Sequence, residues 1–119
     1  MPIERIGVTQ RWCDAAIFNG IVFLAGHVAE ETKGRPLGEQ TTEVLALLEE
    51  TLESAGSDKT RILSVQIFLT DISKIAEMNA VWDAWVAAGT APARATVEAK
   101  LASPGHDIEI TAVAAKLGL

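Results

Sequence analysis

The sequence predicts an α+β fold of order ββαβαββ, a mixed sheet with two helices on one face. Three observations carry this reading. An Asn19-Gly20 pair separates two apolar runs, the turn chemistry that joins antiparallel strands. Two stretches with apolar residues at helical spacing flank one with strand period. Two further alternating stretches then close the chain on either side of Ser103-Pro104-Gly105.

The hairpin spans Asp14 to Val28 and supplies the first two strands. Ala29 to Gly38 holds two Gly, a Pro and several charges, which suits a surface loop. From Thr41 to Ala55, Val44, Leu45, Leu48, Leu52 and Ala55 form a helical stripe, with Glu43, Glu49, Glu50 and Glu53 on other faces and Gly56 as the stop. Arg61 to Thr70 places Leu63, Val65, Ile67 and Leu69 on one side of a third strand. Asp71 or Ser73 caps a second helix with the stripe Ile75, Met78, Trp82 and Trp85 or Val86, ending near Gly89. Ala93 to Leu101 alternates Ala93, Ala95, Val97, Ala99 and Leu101 against Arg94, Thr96, Glu98 and Lys100, a fourth strand. Asp107 to Ala115 is the fifth, with Ile108, Ile110, Ala112 and Ala114 opposite Glu109, Thr111 and Val113.

Two right-handed crossovers lay both helices on the same face and leave the other bare. Yet Ile21, Val22, Phe23 and Leu24, like Ile67 and Phe68, put apolar groups on both sides of their strands. A homo-oligomer that covers the second face is the simplest remedy.

Composition narrows the function. At 119 residues the chain suits one domain, residues 1–119, and its 49% hydrophobic and 22% charged residues are those of a globular protein. Ten Lys plus Arg against sixteen Asp plus Glu give a net charge of -6, which repels phosphate backbones, so nucleic acid is not the expected partner. The single Cys13 allows no internal disulfide and no thiolate cluster. With no apolar leader and no stretch of membrane-spanning length, a cytoplasmic protein without membrane contact is expected. His27 and His106 stand far apart, and no phosphate-cradling glycine motif or Walker lysine occurs, so neither a metal nor a nucleotide cofactor is expected.

The feature with chemical content lies at the carboxy end. If the last two strands pair, Arg94, Thr96 and Glu98 share a face with Glu109 and Thr111. A structural salt bridge is one reading. The other is a site for a carboxylate-bearing small molecule, gripped by the planar fork of Arg94 while Glu109 positions or activates a water. Asn79 breaks the stripe of the second helix as a solvated residue or a ligand contact, and Trp12 is a packing anchor or a pocket lid. Trp82 and Trp85 read as core, and His27 and His106 as structural or solvated.

Four segments carry a family resemblance: Ala-Gly-His-Val-Ala at 25–29, the helix end running into Ala55-Gly56-Ser57, the run from Phe68 through Asp71 and Glu77-Met78-Asn79 to Trp85, and Pro92-Ala93-Arg94-Ala95 joined to Ile108-Glu109-Ile110. Together they resemble the Rid (YjgF) family of reactive enamine and imine deaminases, from about Trp12 to Ala115. The resemblance implies a chorismate-mutase-like (YjgF-like) domain in a homotrimer, with sites in the clefts between subunits. It implies hydrolysis of 2-enamine and 2-imino acids, such as 2-aminoacrylate and 2-iminopropionate, to 2-keto acids and ammonia, without a cofactor. The family's carboxylate-binding arginine matches Arg94, its water-positioning glutamate Glu109, its helix asparagine Asn79 and its sheet-edge glycine Gly26. Thr96 stands where many members have Cys, and Ala95 lines the pocket through its backbone.

Three departures place the chain in a divergent subgroup. Gln10-Arg11-Trp12-Cys13-Asp14 replaces Gly-Pro-Tyr-Ser-Gln, so Trp12 stands at the position of a pocket Tyr. Ala25-Gly26-His27 replaces Ser-Gly-Gln, and Thr111 replaces the second acid of Glu-Ile-Glu. The expected function is therefore that of a 2-iminobutanoate/2-iminopropanoate deaminase-like hydrolase acting in metabolite detoxification. The alternative is a non-catalytic trimer that binds small carboxylic acids, or acts as a chaperone, through the same Arg94. A ribonuclease ranks last, because the acidic chain lacks a basic patch.

Overall fold

The structure, a computed structural model, describes residues 2–118. It contains β1 (Glu4–Ile6), β2 (Ala15–Phe18), β3 (Ile21–Leu24), α1 (Leu37–Ser54), β4 (Ile62–Leu69), α2 (Ile75–Trp85), β5 (Ala93–Glu98) and β6 (Ile108–Ala115), with single 3₁₀ turns before β4 and α2. The strands form one mixed sheet of order β1-β2-β3-β6-β4-β5. Asn19, at φ 54°, and Gly20, at φ 79°, make the β2–β3 turn, since both central positions of that hairpin need left-handed backbone.

Both helices pack on one side of the sheet. Val44, Leu45, Leu48 and Leu52 of α1 meet Val22, Leu24, Ile108, Ile110, Ala112 and Ala114, while Met78 and Trp82 of α2 complete the core beside Val65, Ile67 and Leu69. Truncating a leucine such as fully buried Leu48 to alanine costs about 2–5 kcal/mol. The first turn of α1 also belongs to the core, because Leu37, Gln40 and Thr41 are buried. The Gln40 amide donates to Arg35 O at 2.9 Å and Gly105 O at 3.1 Å, and its Oε1 accepts from Asp107 N at 2.9 Å. A buried side chain thus holds the loop that leads into β6.

The order of elements matches the sequence reading, with differences that have physical causes. β1 adds a sixth strand: three residues are too few to show a period, and pairing Arg5 with Ala16 needs only backbone. α1 starts four residues before Thr41, just after Pro36, whose fixed φ and missing N–H suit a helix entry. Asp71 caps the 3₁₀ turn Ile72–Lys74 rather than α2 itself, and α2 stops at Trp85.

The expected pairing of the last two strands is corrected. β6 inserts between β3 and β4, antiparallel to both, and β5 lies beyond β4, parallel to it, at the sheet edge. Arg94 is level with Val65 and Thr96 with Ile67, both core residues, so the polar side of β5 faces the helices. Ala93, Ala95 and Val97 join Gln66, Phe68 and Glu109 on the open face. Alternation identifies two sides of a strand without saying which one the helices cover. On an edge strand a long Arg reaches past the sheet toward water, so its side escapes burial. Phe23, half exposed, leaves the open face apolar as expected.

Candidate functional site

The residues singled out from sequence fall into two groups. The first stands where β5 meets α2. Nη1 of Arg94 donates to Asn79 Oδ1 at 2.9 Å, and its guanidinium carbon lies 5.5 Å from the centre of the Trp82 ring. Trp82 is buried and tilts against Trp85 at 5.6 Å between ring centres. Trp85 is fixed in turn by its Nε1 donating to Glu49 Oε1 at 2.9 Å, and by Lys59, whose Nζ donates to Trp85 O at 2.8 Å. Asn79 and Trp82 are three residues apart on one helix face, so α2 presents a ring and an amide together to the cation.

Arg94 has no acidic partner among the described residues. Among the described residues the ion pairs are Arg35 with Glu39, Lys116 with Glu4 and, when protonated, His106 with Glu30. The structural salt bridge weighed from the sequence does not form within one chain. Two residues along β5, on the same side, Thr96 Oγ1 is shielded from water and has no hydrogen-bond partner. The guanidinium is oriented, exposed and uncompensated, which suits an external carboxylate.

The second group lies on the open face, at the end where β6 begins. Glu109 is half-buried and opposes Phe68. A Cβ built on Gly26 would press into the Glu109 carboxylate, 2.8 Å from its Cδ and 3.1 Å from its Cγ. Only a glycine leaves the carboxylate this seat. Thr111 Oγ1 donates to Leu24 O at 2.6 Å, fastening the chain just before Gly26 to β6. The Trp12 loop reaches the same end, since Asp14 N donates to Ile6 O and Ala25 N to Asp14 O. That loop is braced by Thr9, whose hydroxyl accepts from the N–H groups of Arg11 and Trp12, while Trp12 is 57% exposed.

The two groups do not meet within one chain. Arg94 lies on the helix side and Glu109 on the open side. Val97, not Arg94, shares the row of Glu109, which puts the pair roughly 10 Å apart across the sheet and roughly 10 Å along it. The open face carries a cleft of about 430 Å3 at the level of Arg94, lined by Ser64, Gln66, Ala93, Ala95, Thr111 and Val113 and not by Glu109.

The segment leaving Gly26 is pinned by Glu43, which accepts from Glu31 N, Thr32 N and Thr32 Oγ1 at 3.1, 2.8 and 2.7 Å. Burial raises the Glu43 carboxyl, but these hydrogen bonds outweigh it and hold the group below the ordinary carboxylate range. Trp82 is the contributor that sequence reasoning assigned to the core alone, and the signal for it was its spacing from Asn79.

Comparison with known proteins shows the family. The family model described as Endoribonuclease L-PSP matches residues 2–116. A RutC family protein of Haemophilus influenzae is 44% identical over 114 residues, covering 96% of this chain and 98% of its own. The RutC family protein YoaB of Escherichia coli is 44% identical over 115 residues, covering 97% and 99%. The crystal structure of NMB1025 from Neisseria meningitidis, a member of the YjgF protein family, superimposes with a TM-score of 0.96 at 46% identity, covering 100% of this chain and 98% of that one. An oriented arginine at the β5 edge, a carboxylate seated on a glycine and a match along the whole chain lead to one assignment: this protein belongs to the YjgF (endoribonuclease L-PSP) family.

Proposed function

We propose that the protein hydrolyses 2-imino acids and their enamine tautomers, with 2-iminopropionate and 2-aminoacrylate as the type substrates, to 2-keto acids and ammonia. The observation that carries this reading is Arg94, a guanidinium held by Asn79 and Trp82 with no acidic partner among the described residues. Its remaining donors match the two oxygens of a carboxylate. Glu109 is the complementary group: it accepts a proton from water as the water oxygen bonds to the imine carbon and the C=N pair moves to nitrogen. It returns that proton to the nitrogen, and then relays the hydroxyl proton to it as C=O forms and ammonia departs. Addition and elimination need only proton transfers, so the reading invokes no cofactor.

Because Arg94 and Glu109 stand on opposite faces, the reading places each site between two copies, with the β5 edge of one chain against the open face of the next. Three copies in a closed ring, a homotrimer, satisfy this arrangement and bury the half-exposed Phe23 and Val97. The partner is then a small imino or keto acid. The net charge of -6 works against an RNA substrate.

The test is direct. An amino-acid oxidase generates imines in the presence of semicarbazide, and the protein should lower the yield of trapped semicarbazone. Binding of 2-keto acids with no effect on any imine would instead identify a non-catalytic carboxylate-binding protein.

A further inference from the structure

His27 follows Gly26 but points the other way, toward α1. Its Nδ1 lies 2.7 Å from Ala25 O, and its Nε2 lies 2.9 Å from Thr51 Oγ1. A carbonyl oxygen has no proton to give, so Nδ1 must carry one and donate it. The Thr51 hydroxyl has a single proton and two acceptors in reach, Nε2 and Leu47 O at 3.1 Å. It can therefore serve the ring whether or not Nε2 is protonated. The main chain of His27 is also anchored, because His27 N donates to Ile110 O at 2.8 Å and Ile110 N to His27 O at 3.1 Å.

These contacts bracket Gly26. Ala25 is held by the imidazole and by Asp14, His27 is held to the residue beside Glu109, and Gly26 between them supplies the surface on which the Glu109 carboxylate rests. We propose that His27 is a positioning residue, which locks the Ala25–Gly26 peptide to α1 and so fixes where Glu109 holds its water. This inference rests on the assignment of Glu109 as the group that orients water. A side chain that served the fold alone would need the link to α1. A positioning role needs the donor at the δ position, because that is the atom touching Ala25 O.

Two substitutions separate the possibilities, since Asn places an amide nitrogen close to the position of Nδ1 while Gln reaches toward Nε2. On imine substrates His27→Gln should lower kcat on the order of tenfold to a hundredfold with KM little changed, while His27→Asn should stay within about threefold of wild type. Equal loss in both variants, or wild-type rates in both, overturns the proposal. Nitrogen-15 NMR of histidine-labelled wild-type protein needs no variant: Nδ1 of His27 should be protonated at neutral pH, and an unprotonated Nδ1 overturns the contact on which the proposal stands. If the wild-type protein hydrolyses no imine, the deaminase reading falls by itself, and amide exchange decides the positioning claim. Exchange at Ile110 should then rise on the order of tenfold in His27→Gln, and unchanged exchange refutes the lock.

Discussion

The carboxylate of Glu109 lies across Gly26 in the space where any other residue would put its Cβ. The φ of Gly26 is not positive, so the restriction comes from space rather than from backbone conformation. Because the obstructing atoms belong to the end of a flexible side chain, Gly26→Ala should displace Glu109 rather than unfold the protein. We expect a stability loss near the low end of overpacking, about 1 kcal/mol, with imine hydrolysis strongly reduced. A double-mutant cycle checks the cause: adding Glu109→Ala should remove most of the stability cost, as coupled neighbours require. Additive costs would place the clash elsewhere.

Arg94 and Glu109 should fail in different ways. Arg94→Ala removes a charge-assisted contact to the substrate carboxylate, worth about 2–5 kcal/mol in kcat/KM, but only an exposed stacking contact of about 0.5–1 kcal/mol from the fold. Lysine should rescue poorly, since it supplies charge without the fork. Glu109→Gln should keep affinity for 2-keto acids while slowing hydrolysis, because an amide cannot take a proton from water. Calorimetric titration with pyruvate beside steady-state kinetics separates the two outcomes.

The balance between what the sequence revealed and what it hid follows from the range of the forces involved. The α1 stripe, the Asn19-Gly20 turn and the alternation of β6 are local signals, and each corresponds to an observed element. The side of β5 that faces the helices is a tertiary fact. Nothing in Ala93 to Glu98 indicates that Arg94 is level with buried Val65, because strand order is decided by how β6 inserts. For the same reason the sequence singled out Arg94, Asn79, Gly26 and Glu109 yet could not divide them between two faces. His27 resembled an ordinary structural histidine because its partner, Thr51, lies 24 positions away.

Acid should weaken the fold through three carboxylates. Glu43 is held below the ordinary range as described above. Asp58 is lowered by the Thr60 hydroxyl and N–H, and Asp71 by those of Ser73. As pH falls, the unfolded chain takes up these protons first, so the stability they confer is complete above about pH 5 and is lost as pH drops through their lowered folded values. Urea midpoints measured from pH 7 to pH 3 should fall mainly below about pH 5. Glu43→Gln should lower the midpoint at neutral pH and flatten the acid limb, since its loop contacts no longer depend on ionisation. A Glu43→Gln profile parallel to wild type would remove that residue from the explanation.

A site divided between copies makes a prediction that a site within one chain cannot share. Arg94→Ala and Glu109→Gln chains, each inactive alone, should regain activity when they assemble together. At any interface where an Arg94→Ala chain lends its intact Glu109 to a neighbour that has lost Glu109 but keeps Arg94, one complete site forms. With random mixing in equal amounts, one interface in four pairs the intact Arg94 with the intact Glu109, so the unfractionated mixture should recover about a quarter of the wild-type rate, and mixed trimers, with one complete site of three, about a third. The two variants, carrying different affinity tags, are unfolded together in urea, refolded and purified through both tags, with light scattering to establish the number of chains. Doubly tagged assemblies without activity, formed from chains that exchange freely, would place Arg94 and Glu109 in separate sites and end the shared-site reading.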